Sequence, residues 1–293
     1  MENTVRQTAQ DISVSHHYDK SEKWNKELYV DNNHFFNRLL VRRKEYSFKL
    51  FDRIAMPVSF RAIDLGCGPG AYLEEFTKRN YEVYGVDISQ EMLNTCAVRL
   101  KVDDESFRKK FICGSIENVP FDDNYFDAAA CIGVLGLLIS DIKTISEIRR
   151  ILMPGGVLLL TVENMLSLSN LDFILRHKIK SLFNKNGGSK KEISEEEKAY
   201  PGITISSNWF PNQLGMNYKI YNPYKLIQLM NDQGFELAGA VTAGHEFRIL
   251  RRLNIIPNII DRIELKLEKY FRLNKIPYFS YSGQFFVGAF IKK

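Results

Sequence analysis

Ala62-Ile-Asp-Leu-Gly-Cys-Gly-Pro-Gly-Ala-Tyr-Leu-Glu-Glu-Phe76 is the stretch that decides the fold. It opens as a short, mostly apolar run, the pattern of a buried strand. Gly66, Gly68 and Gly70 follow at alternate positions, and the chain then continues in a helical pattern. Glycines leave no side chain between the backbone and a ligand. The free N–H groups at the start of the helix point at whatever occupies the turn. Strand, glycine turn and helix in this order form a binding element of nucleotide size.

Outward from this element the chain alternates. Strands are expected over 82–86 (ending at Asp87), 111–113, 126–132 and 157–162, and helices over 71–79, 90–101 and 141–152. Ser89 reads as the N-cap of the second helix, and Pro154-Gly155-Gly156 as the stop after the third. Asn222-Pro223 starts a further helix that Gly234 ends, followed by strands over 235–241 and 284–291. Two helices are expected within 21–55, where apolar and charged residues interleave at helical spacing. Strand and helix alternating in this way predict an α/β, Rossmann-like, doubly wound sheet of seven strands with helices on both faces. Residues 1–56 would form an N-terminal helical lid or cap. Residues 57–293 would form the main domain, interrupted by irregular insertions at 165–221 and 244–280.

The 293 residues suit one large α/β domain with insertions or two small domains, and 45% hydrophobic with 26% charged residues is ordinary for a soluble globular protein. The polar start lacks the apolar core of a signal peptide, and no apolar run is long enough to span a bilayer. The expectation is a cytoplasmic protein. Cys67, Cys96, Cys113 and Cys131 show no paired or metal-binding spacing. They are read as buried, reduced core thiols, and no metal is expected.

Asp87 lies at the end of the second predicted strand, 21 residues after Gly66, where a carboxylate can accept hydrogen bonds from both hydroxyls of a ribose. A helix-capping aspartate is the plainer alternative. Asp64 precedes the glycines, which alternate instead of following the GxGxxG spacing of a dinucleotide loop. An acid there suits a ligand that is cationic at sulfur and carries a free amino group, although a turn-holding aspartate would look the same.

Taken in order, these segments resemble class I S-adenosylmethionine-dependent methyltransferases, in particular the branch acting on small molecules, as in quinone biosynthesis and glycan or lipid tailoring. The resemblance rests on Ile63-Asp-Leu-Gly-Cys-Gly-Pro-Gly70, Val83-Tyr-Gly-Val-Asp-Ile-Ser89, the run from Cys113 to Asp127, Leu152-Met-Pro-Gly-Gly-Val-Leu158, and the run from Tyr221 to Phe235. It implies a last strand antiparallel to the rest and S-adenosylmethionine as cosubstrate. Gly66 and Gly68 would lie against the methionine part of that molecule, with Asp64 and Cys67 counted among the residues that bind it. Asp87 would hold the ribose, and Ile88 would pack on the adenine. Ser115 and Ile116 would meet the adenine edge, with Ser115 standing where the family often has an aspartate. Cys131 and Ile132 would line the region of the sulfur. Arg43, with Arg42 as the alternative, matches an arginine that reaches the cofactor's carboxylate in some relatives.

Gly133-Val-Leu-Gly-Leu-Leu138 carries no ionisable group where relatives often place a histidine or an acid. Candidates for a base are therefore Glu163, His245, His16 and His17, and Tyr18 is a candidate lid residue. Residues 176–191 hold six Lys or Arg side chains and no acid, and an apolar stripe flanked by basic residues runs through 255–273. Packing on the sheet's flank is the plain reading of that stripe; peripheral contact with the inner face of a membrane is the other. No nucleic-acid signature is present.

The expected function is methyl transfer to a small-molecule or lipid-linked acceptor, at oxygen. The rivals are a nicotinamide-dependent oxidoreductase and a non-catalytic S-adenosylmethionine-binding protein. The acceptor and the oligomeric state are not legible in the sequence.

Overall fold

A computed structural model describes residues 35–55, 58–138, 140–167, 204–207, 218–244 and 283–293. The first described element, α1 (Phe35–Ile54), buries Leu39, Leu40, Arg43, Ser47, Phe48 and Phe51, one helical face. Phe48 and Phe51 meet Phe76 edge-to-face at ring separations of 5.1 and 5.3 Å, and Tyr81 completes the cluster. These rings fix α1 on the sheet. The remaining expectations for 1–34 lie outside the described residues.

The strands are β1 (Arg61–Leu65), β2 (Glu82–Asp87), β3 (Phe111–Cys113), β4 (Phe126–Ile132), β5 (Leu152–Glu163), β6 (Thr204–Ser207), β7 (Tyr218–Tyr221), β8 (Phe235–Ala243) and β9 (Phe285–Lys292). The helices after α1 are α2 (Ala71–Thr77), α3 (Gln90–Leu100), α4 (Asp104–Lys110), α5 (Asp141–Ile151) and α6 (Pro223–Asp232). The large sheet has the order β3-β2-β1-β4-β5-β9-β8. Strands β1 to β5 pair in parallel, and β9 runs antiparallel to both β5 and β8. This is the expected Rossmann-like doubly wound sheet with its antiparallel last strand.

One face is covered by α5 and α6 over Ile63, Leu65, Cys131, Leu158 and Leu160. The other is covered by α1, α2 and α3 over Ala62, Ala128, Ala130, Val157 and Leu159. Side chains alternate along a strand, so Asp64, Thr161 and Glu163 share the α1 face. From β1 the chain winds to β3 on one side and then returns to β4 on the other. A crevice therefore opens at the carboxyl ends of β1 and β4.

The capping expectations hold where side-chain oxygens could be read locally. Ser89 accepts from Met92 N, and Asn222 accepts from Tyr224 N ahead of Pro223. Three expectations are corrected. Pro154-Gly155-Gly156 does not precede the fifth strand but lies within it: Phe126 pairs with Leu152 and Ala128 with Val157, leaving the extra residues as an irregularity in the register. A Cβ on Gly156 would meet Met153 O at 2.8 Å, so glycine is what lets the strand fold tightly there. The stretch 165–221 is not wholly irregular, because β6 and β7 form an antiparallel pair and Tyr221 bridges Asn164 beyond the end of β5. Cys113 is exposed rather than buried, since it ends a three-residue strand at the sheet's edge. Helix α4, not expected from the sequence, buries no side chain and is started by Asp103, which accepts from Glu105 N and Ser106 N. No helix among the described residues is long and apolar enough to cross a membrane. The stretches 176–191 and 255–273 lie outside the described residues.

Candidate functional site

The glycine turn is fastened to β2. Gly66 N and Cys67 N both donate to Val86 O, at 2.7 and 3.0 Å. The Asp87 carboxylate then ties the turn to the start of α3: Oδ2 accepts from Gly68 N at 2.8 Å and Oδ1 from Ser89 N at 2.9 Å. Each carboxylate oxygen has a second lone pair, so these bonds orient the group without exhausting it. Burial pushes the Asp87 carboxyl up, and its backbone hydrogen bonds from Ser89 and Gly68 oppose that rise.

Gly68, at φ +48, has open space where a side chain would stand. Gly66, at φ +79, has none: a Cβ there would lie 2.4 Å from Val134 Cγ2. The turn after β4 therefore closes over the turn after β1, an adjacency that no local sequence pattern announces. Cys131, at the end of β4, is buried, and burial followed by the charges of Asp64 and Asp141 pushes its thiol up to about 12. Cys67 is raised too, by its hydrogen bond with Cys96 and by burial. Both are protonated packing groups at neutral pH.

Asp64 is 2% exposed, and its Oδ1 accepts no hydrogen bond. Burial, then the neighbouring Asp87 charge, pushes its carboxyl up to about 8, against the pull of Arg43. Arg43 comes from α1, is 6% exposed, lies 4.7 Å from the centroid of the Phe285 ring, and brings Nη1 to 3.2 Å from the Cβ position of Gly133. Of the two candidate arginines it is the one turned to the sheet's carboxyl edge; Arg42 is only half-buried.

Beyond β3, Ser115 is exposed and its Oγ accepts from Glu117 N, while Ile116 is buried. Ile88 and Ile132 are half-buried. The loop after Ile116 is held by α5: Glu147 accepts from Val119 N at 2.7 Å, and Arg150 donates to Phe121 O, Val119 O and Asp123. Glu163 ends β5 opposite Phe285 and is buried. His16, His17, Tyr18 and His245 lie outside the described residues. Among the described residues no group of three or more His, Cys, Asp or Glu is placed to hold a metal ion.

Sequence reasoning missed one cluster entirely. The Tyr221 hydroxyl lies 3.0 Å from Leu135 O, to which it donates, and 3.1 Å from Asp141 Oδ1, and Lys219 forms an ion pair with Asp141. It stands directly behind the apolar turn 135–137. The only signal was the alternation of Lys219 and Tyr221, which places both side chains on one side of β7.

A parallel sheet with an antiparallel last strand, a glycine turn at its switch point and an acid after β2 define a Rossmann-like nucleotide-binding domain. Residues 63–160 match the family described as a methyltransferase domain. The chain is 31% identical over 123 residues to sterol 24-C-methyltransferase ERG6B of Gibberella zeae, a match covering 42% of this chain and 32% of that protein. It is 29% identical over 125 residues to the ubiquinone/menaquinone biosynthesis C-methyltransferase UbiE of Geobacter sp. strain M21, covering 41% and 53%. The matched stretch thus spans about a third to a half of these curated relatives. The 1,6-didemethyltoxoflavin-N1-methyltransferase of Burkholderia thailandensis, solved with S-adenosylhomocysteine, superposes with a TM-score of 0.56 at 14% identity over 100% of this chain and 91% of that one, which shows a shared fold. The similarity to methyltransferases thus rests on residues 63–160, and S-adenosylmethionine is the cosubstrate it implies.

The residues present suit that cosubstrate. A buried carboxylate oxygen without a donor faces the need of an ammonium or sulfonium, and the space at Gly68 admits a ligand against bare backbone.

Proposed function

We propose that the protein transfers a methyl group from S-adenosylmethionine to a small-molecule or lipid-linked acceptor. The observation that carries this reading is the joint placement of the open glycine turn, the backbone-oriented Asp87 carboxylate and the donor-less Asp64 oxygen at one switch point. Asp87 would take the ribose hydroxyls, Asp64 and Arg43 the amino-acid end, and Ile88, Ser115 and Ile116 the adenine. Cys131 and Ile132 would line the sulfur's surroundings.

The sulfonium supplies an activated methyl group, so the chain's task is to bind, align and exclude water. The turn after β4, residues 133–138, is apolar in composition and carries no ionisable side chain, hence no base. An acceptor oxygen acidic enough to ionise unaided fits that composition. An activated carbon fits it equally, and carbon is the atom named for two of the relatives. Glu163, buried at the end of β5, is the described candidate for a base.

Calorimetry with S-adenosylhomocysteine and with NAD tests the site. Binding of the adenosyl ligand alone is expected, and binding of NAD alone would refute the reading. Incubation of a metabolite extract with methyl-labelled S-adenosylmethionine then separates an enzyme from a non-catalytic binder: label must appear in a product one methylene heavier than its precursor.

A further inference from the structure

Two carboxyl groups flank the glycine turn, and the fold treats them differently. Asp87 is served by two backbone donors, Gly68 N and Ser89 N, that stabilise its charge. Asp64 is the more deeply buried, and its Oδ1 receives no donor. When two buried acids share a site, the proton goes to the one whose charge is less well solvated. The other groups around Asp64 among the described residues are Arg43 from α1, Cys67 in the turn and Cys131 from β4. The two thiols are themselves held protonated and bring no positive charge. Arg43 favours ionisation, while burial and the Asp87 charge oppose it and prevail. The fold therefore favours a charge on Asp87 over one on Asp64.

We propose that Asp64 is a proton-exchange site: a ligand carrying an ammonium or sulfonium group into this crevice binds with release of one proton from the Asp64 carboxyl. The proposal rests on the reading of the crevice as an adenosyl-amino-acid site and adds to it a linkage between ligand and proton. The chemical balance is simple. The O–H bond of the acid breaks, the proton leaves to buffer, and the carboxylate formed is compensated by the incoming cation. No oxidant or further reactant takes part. By linkage, affinity for such ligands rises about tenfold per pH unit while Asp64 is protonated in the free protein, and levels off above its titration midpoint. The consequence is a site that holds its donor more weakly as the surroundings acidify, with the sensitivity set by one residue of the glycine motif.

The test is calorimetry of the full chain with S-adenosylhomocysteine and with S-adenosylmethionine at about pH 6.5, where both the ligand's amino group and Asp64 hold their protons, in buffers of low and high ionisation enthalpy such as MES and imidazole. The expected result is a buffer-dependent heat equal to about one proton released per ligand bound, abolished in Asp64→Asn. A second measurement needs no variant. In the wild-type protein the Asp64 carboxyl carbon, followed by NMR, should titrate near pH 8 without ligand, and its midpoint should fall by at least about two units when S-adenosylhomocysteine is added. Ligand binding with the same heat in both buffers, or an Asp64 resonance already ionised at neutral pH in the free protein, would overturn the proton exchange and leave the adenosyl reading standing. Absence of binding by either ligand at any pH would overturn both, so the two failures are distinguishable.

Discussion

Replacing Asp87 by alanine separates the structural and ligand-binding parts of its role. In the protein its carboxylate accepts two backbone hydrogen bonds, from Gly68 N and Ser89 N. Bonds to a charged acceptor contribute about 1.5–3 kcal/mol each, which sets an upper bound near 3–6 kcal/mol for their loss. Burial of the charge opposes this, since the carboxyl is pushed up despite its donors. The net loss of fold stability should therefore be about 1–3 kcal/mol, the usual cost of leaving buried donors unmet. Ligand affinity has no such offset. If two ribose hydroxyls donate to the remaining lone pairs, their loss removes about 3–6 kcal/mol of binding, a factor of roughly 100 or more. Urea unfolding gives the first quantity, and calorimetry with S-adenosylhomocysteine gives the second on the same preparation. A folded Asp87→Ala protein that binds the ligand within about threefold of wild type would refute the assignment, because a loss that small is less than one such bond.

Three further outcomes are expected. Gly66→Ala places a Cβ 2.4 Å from Val134 Cγ2 at φ +79, and left-handed backbone plus overpacking should lower stability by about 2–4 kcal/mol, read as a lower urea midpoint. The folded-state carboxyl of Asp64, at about 8 against an ordinary 3.8, keeps its proton where the unfolded chain has lost it. Stability should therefore fall as pH rises through that window, by about 1.4 kcal/mol per pH unit, and Asp64→Asn should flatten the curve; a wild-type curve already flat between pH 5 and 7 contradicts the neutral acid. Cys113, exposed at the sheet edge, should react with a thiol reagent in the native protein at least about tenfold faster than the buried Cys67, Cys96 and Cys131, and mass spectrometry of the labelled peptides decides it.

Much of the fold was legible because its signals are local. Strands β3 and β4 lie where the apolar runs predicted, and Ser89 and Asn222 cap the helices their positions suggested. A cap or an apolar run acts through neighbours a few residues away, so it can be read along the chain. The misses share the opposite property. Pro154-Gly155-Gly156 looks like a terminator by composition, yet pairing with β4 carries the strand through it. Cys113 sits in an apolar triplet, and only the strand order shows that this triplet is an edge. Helix α4 fully buries no side chain and rests Phe107 alone against the core, so it shows no apolar periodicity to find.

The site divides in the same way. The sequence by itself determined the turn and its two acids: glycines at alternate positions before a helix, Asp64 before them and Asp87 after the next strand. Those features depend on backbone freedom and on the length of one strand-helix-strand unit. Tertiary structure alone decided that Val134 closes over Gly66, that Arg43 and not Arg42 turns to the sheet's edge, and that Lys219 and Tyr221 meet Asp141 behind the turn after β4. It also decided which of the two acids is served by backbone donors and which is left without one. Burial and electrostatic interaction sum over groups brought together from distant parts of the chain, and no spacing along the sequence records that sum.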